Sequence, residues 1–191
     1  LHGMPLAACL GVNDAQEGEI WDDFCKHFEC IDADDLVYLG LRDLDASELQ
    51  TLRRKGVKYF SSRSWRAESF SEEFTEHWKR INPNGDRPVY ISFDLDVIDP
   101  KLASATGVPV ALGVGLNEIN QLFACLDSKC NLVGLDLVEL NPLLADNQKE
   151  LGQSLSILFY FLQQSLKIQE AKVFFPPFAN EQNLSFSKLF A

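Results

Sequence analysis

The chain has 191 residues, of which 46% are hydrophobic and 24% are charged, and 28 acidic against 17 basic residues give it a net charge of −11. This length is enough for one sizeable hydrophobic core, and the acidity excludes nucleic acid as an expected partner, because binding to phosphates requires clustered Lys and Arg side chains. The longest apolar run, residues 155–162 interrupted by Ser156, is far shorter than the ~20 residues of a membrane-spanning helix, so no membrane partner is expected.

The first half of the chain predicts helices and short strands in alternation. Helices are predicted at residues 4–10, 47–55 and 70–81, and strands at 36–41 and 57–60. Residues 12–30 are predicted to be mostly irregular, with a helical turn around residues 21–27. Pro5 suits the first turn of the first helix, and Gly11 and Gly56 suit helix ends. In the third helix, Phe70 and Phe74 begin an apolar stripe at helical spacing.

The second half continues the alternation. Strands are predicted at residues 88–95 and 132–138, helices at 116–126 and 150–166, and a Gly- and Pro-rich loop at 99–115. Alternating strands and helices predict an α/β fold with a mostly parallel sheet. No internal repeat is visible, so we expect one domain over residues 1–168 and a tail, residues 169–191, that docks on a neighbour or is poorly ordered.

Five cysteines are an odd number, and none of them forms a Cys-x-x-Cys pair; they are Cys9, Cys25, Cys30, Cys125 and Cys130. A chain of this length needs no disulfides, so we expect reduced thiols and a cytoplasmic location. Only three histidines are present and no Cys-x-x-Cys pair accompanies them, so no zinc site is expected. Because the chain begins at Leu1 without an initiator Met, we expect it to be part of a longer protein.

The segment Val89–Phe93 is rich in β-branched and aromatic residues, and we expect a strand buried on both faces. It leads into Asp94 and Asp96 and ends at Asp99-Pro100. Side chains two residues apart on a strand point the same way, so both carboxylates should share one face at the carboxyl end of the strand, where open parallel sheets place their sites. Two adjacent carboxylates repel each other unless a cation or a shared proton lies between them, and oxygen ligands suit magnesium or manganese. A short Asp-x-Asp pattern also occurs in solvated turns.

Acidic residues recur at the predicted ends of three strands: Asp43 and Asp45, Asp94 and Asp96, and Glu139. Surface acids have no general reason to gather at the carboxyl ends of strands. The recurrence therefore indicates an active site at one edge of a parallel sheet, with simple loop capping as the alternative.

Four segments occur in the order found in a known enzyme family: Leu1-His2-Gly3-Met4-Pro5, Gly40–Glu48, Ser92–Pro100 and Asp136–Pro142. With them, residues 1 to about 168 resemble the carboxyl-terminal half of the ureohydrolases, and most of all the arginases. The resemblance implies a three-layer α/β/α fold with helices on both faces of the sheet. It also implies a homo-oligomer, either a trimer or a hexamer.

The resemblance also implies a role for each matching residue. Asp94 and Asp96 would be ligands of two manganese ions, His2 would pass a proton to the departing amine, Glu139 would hold the guanidinium, and Asp43, Asp45 and Glu48 would surround the α-amino end of the substrate. The implied reaction is hydrolysis of a small guanidino compound by a hydroxide that the metal ions make available near neutral pH. L-arginine would yield L-ornithine and urea.

These residue types suit that chemistry independently of the family. A guanidinium stays protonated near neutral pH and is bound by carboxylates in a forked geometry. An α-ammonium group also needs acceptors, which the acids between residues 43 and 48 supply. Histidine is the usual side chain for proton transfer near neutral pH.

The chain departs from the arginase pattern in three places. The family's other metal-binding motifs, a Gly-Asp-His loop and an Asp-x-His-x-Asp strand end, would lie upstream of residue 1, so only two of the expected ligands are present. Val108 stands where arginases have the Thr of Gly-Thr-Pro, which shifts the segment towards formiminoglutamases. Leu116-Asn117-Glu118 replaces a Tyr-Arg-Glu whose Arg joins subunits in some arginases, which leaves the subunit contact open.

Several alternatives follow from these departures. In one alternative, the protein is an arginase-like scaffold that has lost metal and catalysis. In another, it is a relative that acts on formiminoglutamate, agmatine or guanidinobutyrate. A strand ending in Asp-x-Asp also resembles haloacid-dehalogenase phosphatases, in which the first Asp is a nucleophile. That motif normally opens its fold, whereas Asp94 lies in mid-chain.

Overall fold

The computed structural model describes residues 5–12, 23, 27, 31–126 and 130–170. These residues contain four strands: β1 (Val37–Leu41), β2 (Lys58–Ser61), β3 (Pro88–Asp94) and β4 (Asn131–Val138). They also contain six α-helices: α1 (Pro5–Cys9), α2 (Ala46–Lys55), α3 (Ser62–Trp65), α4 (Phe70–Ile81), α5 (Leu116–Leu126) and α6 (Gln148–Glu170).

Every strand and helix predicted within these ranges is confirmed to within a few residues, and α3 is an addition. The helical turn predicted at residues 21–27 lies mostly outside the described residues. The tail beyond residue 170 also lies outside them, so the predicted domain limit at residue 168 stays a prediction.

The strands form two parallel pairs, β1 with β2 and β3 with β4. Parallel neighbours require a crossover connection. Helix α2 lies in the first connection, and the loop at residues 98–115 and helix α5 lie in the second. The predicted parallel pairing is therefore confirmed. In the second pair Asp94 lies opposite Val138, so the two strands end side by side.

One hydrophobic core joins the two strand pairs. On the β2 side, the Phe60 ring packs edge-on against Phe70 of α4, with ring centroids 5.2 Å apart. On the β3 side, Phe93 stacks on Phe161 of α6 at 3.9 Å, and Phe123 of α5 meets the same ring edge-on. Gly40, with φ +83°, lies directly against Val97, where a Cβ would overlap the Val97 side chain. This close approach brings the carboxyl ends of β1 and β3 together.

The expectation that β3 is buried on both faces is wrong for the described residues. Exposure alternates along the strand: Phe93 is buried, whereas Ser92 is exposed and Tyr90 is 61% exposed. Helix α6 covers the Phe93 face, and the Tyr90 face remains open to solvent in the part of the chain described. No helix among the described residues is long and apolar enough to cross a membrane.

Candidate active site

Asp94 and Asp96 lie at the carboxyl end of β3, but not on one face of the strand. Asp94 is the last strand residue, and Asp96 lies in the 3-10 turn Leu95–Val97. The Asp94 carboxylate accepts a hydrogen bond of 3.0 Å from the Asp96 amide, which caps the turn. The chain therefore bends one residue earlier than predicted, because a local side chain to backbone hydrogen bond competes with strand geometry.

The two carboxylates remain close enough to influence each other. The pKa of Asp96 is raised to about 6, first by burial and then by the negative charge of Asp94, whereas the Arg42 guanidinium acts in the opposite direction. Glu139 also contributes a smaller upward effect on the pKa of Asp96. Acids from two separate strand ends, predicted at Asp94, Asp96 and Glu139, are thus brought into one electrostatic neighbourhood.

Glu139 follows the last residue of β4 and is exposed. Its backbone has φ +64°, in the left-handed region that non-glycine residues rarely adopt. Gly107 faces the Glu139 carboxylate: a Cβ placed on Gly107 would lie 3.9 Å from Glu139 Oε2. The turn after Glu139 is tied to the same loop by a hydrogen bond of 2.9 Å from the Asn141 amide to the Ala105 carbonyl oxygen. Unusual backbone of this kind persists where the surroundings hold it, and it clusters at functional sites.

Arg42 is the residue that the sequence interpretation missed. It follows β1, and its guanidinium donates from Nε and Nη2 to the Val110 carbonyl oxygen at 3.1 and 3.0 Å. Nη2 also donates to the Asp96 carbonyl oxygen. One side chain therefore links the end of β1, the turn after β3 and the loop that carries Gly107. The available signal was a lone arginine between a buried strand and the acids that follow it.

Asp45 and Glu48 form a reciprocal capping box at the start of α2. Asp45 Oδ1 accepts hydrogen bonds from the amides of Ser47 and Glu48, at 2.7 and 2.8 Å, and Glu48 Oε2 accepts one of 2.9 Å from the Asp45 amide. The hydrogen bond from the Glu48 amide is the largest cause of a lowered pKa at Asp45. Asp43, between this cap and Arg42, is exposed. A substrate-binding role for these three acids stays a prediction, and the capping role is an observed contact.

The Asp94 and Asp96 pair fits a divalent cation in its chemistry. Both groups are oxygen donors, and a cation between them would relieve the burial and repulsion that raise the pKa of Asp96. Within residues 5–12, 31–126 and 130–170, however, no three His, Cys, Asp or Glu side chains lie close enough together to hold a metal ion. The pair therefore suits part of a ligand set. His2 lies outside the described residues.

Comparisons with known proteins point to one enzyme family. The family model described as the arginase family matches residues 1–161. An arginase from Neurospora crassa is 34% identical over 145 residues, which cover 76% of this chain and 40% of that protein. The chain thus spans less than half the length of that curated relative.

Solved structures agree with the family model. The crystal structure of Helicobacter pylori arginase is 28% identical with a TM-score of 0.70, covering 86% of this chain and 57% of that one. Entamoeba histolytica arginase in complex with L-ornithine is 26% identical with a TM-score of 0.63, covering 83% and 52%. The predicted α/β fold is confirmed by these similarities.

Proposed function

Because the chain belongs to the arginase family, we propose that the full-length protein hydrolyses a small guanidino substrate, with L-arginine as the first choice, yielding L-ornithine and urea. The observation that carries this proposal is the convergence of Asp94, Asp96 and Glu139 at adjacent strand ends. The ornithine complex of the Entamoeba relative supports a ligand of the same class.

Manganese is the cofactor that we propose, with Asp94 and Asp96 holding two ions together with ligands from elsewhere in the full-length protein. When bound, the ions would supply a hydroxide nucleophile near neutral pH by lowering the pKa of water. The support from this chain is the chemistry of the pair, two partly buried carboxylates whose mutual repulsion a hard cation would offset.

The remaining roles belong to side chains that touch the substrate. Glu139 would bind the guanidinium, because a carboxylate matches its forked donors, and its exposure at the end of β4 leaves it accessible. Asp43, Asp45 and Glu48 would accept hydrogen bonds from the α-ammonium group. His2 would donate a proton to the departing amine.

The assembly and compartment are part of the same proposal. A trimer or hexamer of identical chains in the cytoplasm would agree with the arginase resemblance and with the free thiols of Cys9 and Cys125.

The proposal is tested on the full-length protein purified with manganese, by measuring metal content and urea release from L-arginine, with agmatine and formiminoglutamate as parallel substrates. Asp94→Ala should reduce bound manganese and abolish most turnover. Asp34→Asn should change neither, because Asp34 lies before the amino end of β1 and the candidate site lies at the carboxyl ends of the strands. Glu139→Gln should damage guanidinium binding with metal retained, and His2→Ala should lower the rate with metal retained. If the metal-loaded protein hydrolyses none of the three substrates, the proposed hydrolase activity is refuted. Release of glutamate and formamide from formiminoglutamate, without urea from arginine, would correct the substrate.

A further inference from the structure

The loop that contains Ser104 and Ala105 lies between Glu139 and helix α6, and hydrogen bonds join it to that helix. The Ala105 amide donates a hydrogen bond of 3.2 Å to Ser154 Oγ. On its other side, the Ala105 carbonyl oxygen accepts the hydrogen bond of 2.9 Å from the Asn141 amide. Ala105 therefore joins the helix to the turn that begins at Glu139 through its own two backbone groups.

A second contact from the same helix face reinforces this connection. Ser104 donates a hydrogen bond of 3.0 Å to Glu150 Oε2. Glu150 and Ser154 are one helical turn apart and so lie on the same face of α6. Glu150 is itself oriented by Asn147, whose side-chain amide donates to Oε1 at 3.1 Å. Two successive loop residues are therefore anchored to one rigid element.

Burial makes the Ser154 contact hard to replace. Ser154 and Ala105 are both 0% exposed, so solvent cannot take the place of the hydroxyl. A buried amide without an acceptor is costly, and the loop would shift to find one. Asn141 would move with the loop, and the left-handed backbone of Glu139, two residues earlier, depends on such surroundings to persist.

We propose that Ser154 is a positioning residue, which acts through the backbone of Ala105 and Asn141 to hold the Glu139 carboxylate where it binds a guanidinium. This inference rests on the proposed function for the role of Glu139, but not for the mechanical link. No pattern in the sequence indicates this link, because Ser154 lies in the second turn of a long helix with no motif around it.

The test compares Ser154→Ala with Ser165→Ala in the full-length protein. Ser165 is a matched control: it lies on α6, is 2% exposed, and donates to Phe161 in its own helix at 2.9 Å. We expect Ser154→Ala to lower kcat/KM by about tenfold, mainly through KM, since a lost buried hydrogen bond is worth on the order of one decade. Ser165→Ala should stay within about twofold of the wild type, because its bond does not reach the loop. Equal effects of the two variants would overturn the proposal.

A double-mutant cycle separates positioning from general destabilisation. If Ser154 acts through Glu139, the effect of Ser154→Ala on kcat/KM should disappear in the Glu139→Gln background; if its role is only structural, the two effects should multiply. Should Ser154→Ala fail to fold, Ser104→Ala removes the neighbouring anchor, and the same cycle applies with a smaller expected effect.

Hydrogen exchange tests the link without any activity. The Asn141 amide should exchange about tenfold faster in Ser154→Ala than in the wild type and should be unchanged in Ser165→Ala. Unchanged exchange at Asn141 in both variants would refute the positioning role. If the wild-type protein hydrolyses no guanidino substrate, the proposed function fails, and this measurement still decides whether Ser154 holds the turn.

Discussion

The Arg42 guanidinium donates two hydrogen bonds to a single acceptor, the Val110 carbonyl oxygen, from Nε at 3.1 Å and from Nη2 at 3.0 Å. Sixty-eight positions separate the two residues in the chain. The contact fixes the loop that carries Gly107, which faces Glu139, to the end of β1, which carries the candidate substrate acids. The edge of the candidate site is therefore held together by one arginine as well as by the strands.

Replacing Arg42 with Lys should weaken this edge although the charge is kept. Lysine is a point donor and cannot reproduce the planar fork that spans Val110 and Asp96. We expect the free energy of unfolding to fall by about 2 kcal/mol, the scale of hydrogen bonds to a charged group. Urea denaturation of the full-length protein measures this. Arg54→Lys on the exposed side of α2 is the control, and equal stability of the two variants would contradict the bridging role.

The positive φ of Glu139 predicts that two matched variants differ in stability but not in activity. Glu139→Ala and Glu139→Gly both remove the carboxylate, so both should lose guanidinium binding equally. Only glycine adopts φ +64° without steric cost, so Glu139→Gly should be more stable than Glu139→Ala by about 1 kcal/mol. Thermal unfolding and kcat/KM on the same samples check both statements. An alanine variant as stable as the glycine variant would show that the backbone relaxes there.

The double assignment of Asp45, as helix cap and as substrate ligand, can be separated by Asp45→Ser. Serine also caps helices, so this variant should keep the melting temperature of the wild type, whereas Asp45→Ala should lower it. If Asp45 also binds the α-ammonium group, both variants should lose kcat/KM for L-arginine to a similar extent. If Asp45→Ser has the kinetics of the wild type, Asp45 caps helix α2 and does not bind the substrate.

The pKa shift of Asp45 also sets the pH dependence of its cap. Hydrogen bonds from Glu48 and Ser47 lower the pKa of the folded state. The stabilisation is therefore fully present above the unfolded pKa near 3.9 and is lost as pH falls through the lower folded value. The melting temperatures of wild type and Asp45→Ala should converge only in strongly acidic solution.

His77 of α4 predicts a loss of stability on mild acidification. It is 9% exposed, its Nε2 has no hydrogen-bond partner among the residues that the structure describes, and Nδ1 lies 3.3 Å from Arg80 Nη2. Burial lowers the pKa of His77, the positive charges of Arg80 and Lys58 lower it further, and Asp34 opposes them weakly. Because the unfolded chain binds the proton more readily, stability is complete above the unfolded pKa near 6.5 and falls as pH drops towards the folded value.

The comparison of wild type with His77→Gln isolates this effect from other titrating groups. Between pH 7.5 and 5.5 the wild type should lose more stability than His77→Gln, which stays neutral throughout. Parallel losses in the two proteins would show that His77 does not titrate in this window. Urea midpoints at several pH values supply the measurement.

Local patterns in the sequence determined the strands and helices because each depends on neighbours within a few residues. The apolar spacing of Phe70 and Phe74, the stop at Gly56 and the β-branched run before Asp94 each predicted an element that the structure contains. The spacing of Asp45 and Glu48 is also local, and it is enough to predict the capping box that the structure contains.

Contacts over long chain separations were decided by the tertiary structure alone. The sequence by itself determined the parallel α/β order and the presence of acids after three strands. Both depend on the spacing of apolar residues and on the Gly and Pro residues that end helices and strands. Only the folded chain decided that Asp96 lies in a turn, that Arg42 reaches Asp96 and Val110, and that Ser154 supports the loop beside Glu139. The physical reason is that hydrogen bonds between distant segments depend on how the helices and strands pack, and packing leaves no period in the sequence.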